Sequence, residues 1–142
     1  MKWSTVLIIL VFVGYLAFMM LRKPAPTPGV FDAQITLADA QIQSAQSGKP
    51  IFVLVTADWC APCQTLKRGA LLDPSVVELI STQTIPVYLE ADTNGAEIQN
   101  LPVSSYPTAL VIKDGEVSAS IVGGKPARKY LAVLKKALAT GG

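Results

Sequence analysis

The 142-residue sequence contains no histidine and only two cysteines, Cys60 and Cys63. The first absence removes Cys/His metal sites and leaves nucleophilic catalysis without an imidazole base. Two thiolates alone do not complete a tetrahedral zinc site, so no metal is expected. Charge is also sparse: Asp, Glu, Lys and Arg make up 15% of the residues, with a formal net charge of +2. Without Lys2, Arg22 and Lys23, nine basic residues face ten acidic ones, a net of −1 after residue 23. No basic run or basic–aromatic interleaving survives there, which argues against a nucleic-acid partner. No internal repeat is evident, and the length allows one compact domain with an appendage.

Apolar sequence, by contrast, is concentrated at the N-terminus. Residues 3–21, WSTVLIILVFVGYLAFMML, carry no charge and lie between Lys2 and Arg22-Lys23. As a helix they would rise about 28 Å, close to the roughly 30 Å hydrocarbon core of a bilayer. Trp3 suits an interface, whereas Tyr15 lies too deep for a clean aromatic belt. The rivals are a buried helix and a cleaved signal peptide. A signal peptide has an apolar region of about 7–15 residues and a small-residue cleavage site, but this run ends Phe18-Met19-Met20-Leu21. Residues 1–23 are therefore read as one membrane anchor. Residues 24–30, Pro-Ala-Pro-Thr-Pro-Gly-Val, read as an extended spacer with a reach of about 20 Å. Residues 31–142 are left for the folded domain.

Within that domain, Leu37–Ser47 reads as a helix with Thr36 or Asp39 as cap and Ala38, Ile42 and Ala45 at helical spacing. Gly48-Lys49-Pro50 ends it. Ile51–Thr56 is a continuous apolar run, as expected of a central strand covered on both faces. Cys60–Leu72 reads as a helix with Leu66, Ala70 and Cys63 inward. Asp73-Pro74 interrupts it, and Asp73 is available to cap a further turn or two over Ser75–Ser81. Ile85–Glu90 and Pro107–Lys113 are strand candidates, and Ala96–Leu101 is a short helix. Asp114-Gly115 marks a hairpin into Glu116–Val122. Gly123-Gly124 then breaks the strand. Ala127–Ala139 closes the chain as an amphipathic helix, with Tyr130, Leu131, Leu134 and Leu138 inward and Lys129, Lys135 and Lys136 outward. The order implies an α/β sandwich, a central mixed sheet flanked by helices.

The chemistry concentrates at Trp59-Cys60-Ala61-Pro62-Cys63. From the residues alone, a redox dithiol, a small structural disulfide, an intermolecular metal site and inert thiols all remain open. The redox reading leads, because a thiol at a helix N-terminus meets unpaired N–H groups and the positive end of the dipole. Pro62 is tolerated in the first turn, and Trp59 either shapes the approach or merely packs. Tyr106-Pro107-Thr108 is a second constellation, since a proline entering a strand has no ladder N–H to give. Its peptide bond is either an ordinary trans bond or a cis bond exposing backbone polar groups to an extended partner.

Taken together, Lys49-Pro50, Ala57 to Cys63, Asp73-Pro74-Ser75-Val76, Tyr106-Pro107-Thr108, Asp114-Gly115 and Gly123-Gly124 span residues 35–139 and resemble the thioredoxin family. The likeness is strongest to its membrane-associated thiol:disulfide interchange proteins. The resemblance implies a thioredoxin-like three-layer sandwich after an N-terminal transmembrane helix. It implies a cis bond before Pro107, Cys60 as exposed nucleophile and Cys63 as resolving thiol, with Trp59, Ala61, Pro62, Tyr106, Pro107 and Thr108 supporting the partner. It needs no cofactor; the partners are protein thiols and disulfides, recharged by a membrane or soluble protein donor. Exchange in an oxidising compartment favours the periplasmic side of the inner membrane, although flanking charges nearly tie on orientation. Electron flow as a reductant or relay is favoured, with a dithiol oxidase or a non-catalytic binding module as alternatives.

Two departures stand out. A buried Asp usual in the family falls at Leu54, and the lysine that often pairs with it falls at Tyr88. Without that carboxylate, Cys63 is expected to have a higher pKa and to release mixed disulfides slowly. Asp58 is expected to face solvent or cap the helix rather than substitute for it.

Overall fold

A computed structural model of the chain describes residues 3–140. Lys2, on which the charge balance around the apolar segment partly rests, lies outside the described residues. Trp3–Leu21 form α1, long and apolar enough to cross a membrane, with no residue buried. Such a helix is consistent with a spanning or a signal helix.

Residues 22–28 form no regular element, but they do not stand off from the domain as a free spacer. Ala25 and Pro28 are buried, the Ala25 N–H donates to Gln64 Oε1, and Arg68 Nη2 donates to the Lys23 carbonyl at 3.0 Å. A 3₁₀ turn over Gly29–Phe31 then drives Phe31 into the core, where its ring stacks on Phe52 at 6.3 Å.

Leu37–Ser47 form α2, capped by Thr36, whose Oγ1 accepts the Asp39 N–H at 3.1 Å. The inward face differs from the expected one. Leu37, Ala40 and Ser44 turn toward the sheet, while Ala38 and Ala45 are exposed and Ile42 is 58% exposed. Both stripes have helical spacing. Polarity misleads here because Ser44 fills its half-buried slot by donating to the Lys49 carbonyl at 2.7 Å.

Ile51–Thr56 form β1, every residue of which is buried. Next come α3 (Ala61–Arg68), a 3₁₀ turn over Ala70–Leu72 and α4 (Pro74–Gln83). The expected continuous helix to Leu72 is broken at Gly69, whose φ of −118° and ψ of −98° leave the helical region. Asp73 Oδ1 caps α4 through the N–H groups of Ser75 and Val76, and α4 runs past the expected turn or two. Then follow β2 (Ile85–Glu90), α5 (Gly95–Ile98), β3 (Thr108–Lys113), β4 (Glu116–Val122) and α6 (Ala127–Ala139). The β3–β4 turn puts Asp114 at φ 52° and Gly115 at φ 82°, both in the left-handed region that tight hairpins require.

The sheet order is β2-β1-β3-β4, with β1 parallel to β2 and antiparallel to β3, and β4 antiparallel to β3. Alternation along β1 sends Phe52 and Leu54 to a core shared with α3, α4 and α6, and Ile51, Val53 and Val55 to one shared with α2 and α5. Both faces are covered, giving three layers. Each such Leu, Ile or Phe contributes about 1.5–3 kcal/mol by leaving water. On α6, Tyr130, Leu134 and Ala137 are buried and Leu131 and Leu138 half-buried. The turn leaving β1 thus opens at the edge of both cores, where α3 begins.

Candidate active site

Cys60 is the N-cap of α3, not its first helical residue: φ −89° and ψ 112° are extended, and its Sγ accepts the Cys63 N–H at 3.2 Å. Pro62 sits in the first turn, where its missing N–H leaves nothing unpaired that the helix would have paired. Cys60 and Cys63 are joined in a disulfide with their Cα atoms 5.2 Å apart. Cys63 is fully buried and Cys60 retains 7% exposure, so Cys60 is the more accessible residue without being open. Ala57 and Tyr106 cover the pair. Trp59 is 67% exposed and meets Tyr106 edge to face.

The second constellation arrives from β3. The Tyr106–Pro107 bond is cis. Thr108 Oγ1 donates to the Ser105 carbonyl at 2.8 Å, and the Gly123 N–H donates to the Pro107 carbonyl at 2.8 Å. Pro107 and Thr108 are buried, so they brace the loop from beneath, whereas Ala61 and Pro62 are exposed and Tyr106 is half-buried. Gly124 completes the rim: a Cβ there would lie 3.0 Å from the Pro62 carbonyl oxygen. All eight expected residues gather in one place, joined by Gly123-Gly124. Beside Pro62 a cleft of about 740 Å³ opens between α3 and residues 124–127.

Leu54 is fully buried among apolar neighbours and pairs in register with Tyr88, so no carboxylate lies at either of those positions. Asp58 does not cap α3, since Cys60 does. Its Oδ1 instead sits 2.8 Å from Lys67 Nζ, with the lysine side chain 1% and the aspartate side chain 47% exposed. Lys67 also lies 5.3 Å from the centroid of the Tyr88 ring. Burial, the largest single influence, works to lower the Lys67 pKa, but the bonds and attraction of Asp58 and Tyr88 outweigh it and hold the pKa above the usual lysine value.

Sequence reasoning missed three site residues. Lys67 lies four residues beyond Cys63 and next to Leu66, so a helical wheel shows it as an inward lysine. Glu90 stands opposite Thr56 in the β1–β2 register, and its two carboxylate oxygens accept the N–H groups of Asp58 and Asp92 at 3.0 and 2.7 Å. Gln64 donates to the Asp58 carbonyl at 3.1 Å while accepting from Ala25. Neither residue carries a sequence signal beyond its register or helix position.

A disulfide closed across the first turn of a helix, covered by a cis-proline loop at the edge of a mixed sheet, defines a thiol–disulfide exchange domain. Residues 37–138 match the family model for a thioredoxin-like domain. Thioredoxin from Mycobacterium tuberculosis is 34% identical over 95 residues, covering 66% of this chain and 79% of that protein. Thioredoxin from Haemophilus influenzae is 35% identical over 89 residues, covering 63% and 80%. Two solved structures share the fold. A Thermus thermophilus thioredoxin has a TM-score of 0.66 at 22% identity, covering 75% of this chain and 86% of its own. The oxidised DsbD C-terminal domain of Neisseria meningitidis has a TM-score of 0.60 at 20% identity, covering 70% and 90%. The chain belongs to the thioredoxin family. Its Cys60–Cys63 disulfide in this fold supports thiol–disulfide exchange, the chemistry of a protein-disulfide oxidoreductase.

Proposed function

We propose that the protein is a membrane-tethered dithiol carrier that reduces, or relays electrons to, disulfides of proteins at the outer face of the cytoplasmic membrane. The observation that carries this reading is the Cys60–Cys63 disulfide at the start of α3, with the more accessible cysteine at the N-cap. In the reduced form the Cys60 thiolate attacks one sulfur of a partner disulfide, forming a mixed disulfide and expelling the partner's other sulfur as a thiolate. Cys63, as thiolate, then attacks Cys60 Sγ. The Cys60–Cys63 bond forms, the mixed disulfide breaks, and the partner leaves with both electrons and, after protonation, as a dithiol.

Trp59, Ala61, Pro62 and Tyr106 form the surface a partner meets, and Pro107 and Thr108 hold the facing loop. The dithiol stores both electrons, so no cofactor is assigned. Recharging falls to another protein, in the membrane or soluble. Residues 1–23 act as anchor, 24–30 as connector and 31–142 as working domain. Contacts of Ala25 and Lys23 with α3 support a site held near the bilayer, as does a cleft of about 310 Å³ lined by Met19 and Arg22 on one side and Trp59 and Ala61 on the other. A periplasmic domain suits exchange in an oxidising compartment.

The test is trapping. Cys63→Ser is expected to accumulate a mixed disulfide through Cys60, and Cys60→Ser to abolish both trapping and insulin reduction. A Cys60→Ser protein with full biological function would sink the proposal. A reduction potential near about −270 mV supports a reductant, whereas one near about −120 mV makes the protein an oxidase. Protease added outside the inner membrane is expected to reach the domain.

A further inference from the structure

Inside the oxidoreductase one charged group remains unexplained. Lys67 is the only charged residue in the buried class among the described residues, and it lies one helical turn beyond Cys63. Residues four apart on a helix have Cβ atoms about 6 Å apart on one face, and both of these side chains are buried. A lysine is rarely enclosed without a partner. Here the partner, Asp58, belongs to the turn that delivers Cys60 and is itself half in solvent. The two charges are therefore screened unequally: water attenuates the field of the carboxylate more than that of the ammonium. That inequality leaves the ammonium the less attenuated charge on the buried side of α3.

We propose that Lys67 is a positioning residue for exchange, a fixed cation that Asp58 and Tyr88 hold one helical turn beyond Cys63 so that Cys63 is stabilised as a thiolate whenever the disulfide is open. The other ionisable groups around the pair are Tyr88 on β2, beneath the ammonium, and Glu90 at the end of β2. Glu90 is spent on the Asp58 and Asp92 N–H groups at the outer side of the turn. Lys67 stays protonated and takes no proton from Cys63. It acts only on the energy of the thiolate, and so compensates for the apolar Leu54 where a proton acceptor would otherwise stand.

The sign is testable. A nearby opposite charge lowers a thiol pKa, and a shift of about one unit is a tenfold change in ionisation. In a Cys60→Ser background, where Cys63 titrates alone, Lys67→Met is expected to raise the Cys63 pKa by about one unit, with Lys67→Arg restoring it. Asp58→Asn removes the opposing charge and is expected to lower it. In the intact dithiol, Lys67→Met is expected to slow mixed-disulfide resolution near neutral pH by about three- to fourfold. The tenfold loss of thiolate is offset in part by its greater intrinsic nucleophilicity. Above the thiol pKa the glutathione equilibrium is expected to move about tenfold toward the disulfide, which is about 30 mV for a two-electron couple.

A purely structural role for the ion pair would change melting temperature and leave the Cys63 titration where it was. An unmoved Cys63 pKa in either folded variant, or shifts of the same sign in both, overturns the proposal. Should Lys67→Met fail to fold, Asp58→Asn decides alone. The inference rests on Cys63 as the resolving thiol, and the two fail differently: an incorrect role shows as Cys63→Ser that traps nothing, an incorrect Lys67 as a Cys63 pKa that ignores it.

Discussion

Trp59 meets Tyr106 edge to face, with ring centroids 5.8 Å apart and planes at 80°. The contact joins the turn before Cys60 to the loop before Pro107 and leaves most of the indole in solvent. Edge-to-face pairs contribute about 0.5–1.5 kcal/mol beyond area burial. Trp59→Ala is thus expected to cost about 1 kcal/mol or less in urea denaturation, because little area is lost from the core. Partner recognition should suffer more, with a raised KM for a protein disulfide and a smaller change in kcat. A large stability loss with unchanged KM would identify Trp59 as packing alone.

Gly124 gives a sharper steric test. A Cβ there meets backbone, the Pro62 carbonyl oxygen at 3.0 Å, and neither side is a flexible side-chain end. Gly124→Ala is expected to destabilise by about 1–3 kcal/mol, as overpacking does, and to displace the segment between the two cysteines. Gly95→Ala is the control. Its Cβ would meet nothing within 4 Å at the start of α5, so it should be neutral or stabilising by about 0.4–1 kcal/mol. Urea melts of both variants, with insulin turnover for Gly124→Ala, check the pair.

These residues also mark where the sequence is and is not legible. Burial on both faces makes β1 a continuous apolar run, and Asp114-Gly115 has the backbone freedom its turn needs, so the central strand and the hairpin follow from local pattern, whereas the order β2-β1-β3-β4 does not. The dithiol and the Pro107 loop are legible because Cys60, Cys63 and Pro107 are chemically unusual where they stand, while the cis bond and the roles of the two cysteines rest on the family resemblance. Ile42 misleads, since on α2 two stripes have helical spacing and contact with the sheet chose the one containing Ser44. Gly69 hides a break because nothing local distinguishes a tolerated helical glycine from a terminus. Lys67, Gln64 and Glu90 act through residues distant in sequence, and only the packing of α3 and the β1–β2 register brings those partners to them.

Gln64 couples the N-terminal segment to the dithiol turn, its amide accepting from the Ala25 N–H and donating to the Asp58 carbonyl. Gln64→Ala removes both bonds and leaves the fold's cores untouched, so global stability should fall by only about 1 kcal/mol. The local effect should be larger. Amide exchange and limited proteolysis within residues 22–28 are expected to accelerate in Gln64→Ala and not in Thr65→Ala, whose hydroxyl bonds only within α3 at 3.2 Å. Unchanged protection would mean that burial of Ala25 and Pro28, with the Arg68 bond to the Lys23 carbonyl, holds the segment without Gln64.

Tyr130 and Lys67 are both expected to contribute to the loss of stability at alkaline pH. Its hydroxyl is buried without a hydrogen-bond partner among the described residues, and burial pushes its pKa well above the ordinary 10.0. The Lys67 pKa is likewise raised above 10.5. For both groups the folded state holds its proton more tightly than the unfolded chain. Their linkage contribution is therefore complete below about pH 10 and is lost as pH rises past the unfolded values, where the unfolded state binds fewer protons. Urea stability is expected to be flat in this respect near neutrality and to fall steeply above about pH 10. Tyr130→Phe removes an unsatisfied hydroxyl while keeping the ring, so at neutral pH it should be neutral or stabilising by about 1 kcal/mol. It should also flatten part of the alkaline fall and leave the Lys67 share, which Lys67→Met removes. An alkaline limb identical in wild type and Tyr130→Phe would show that the phenol finds a partner or water when it ionises.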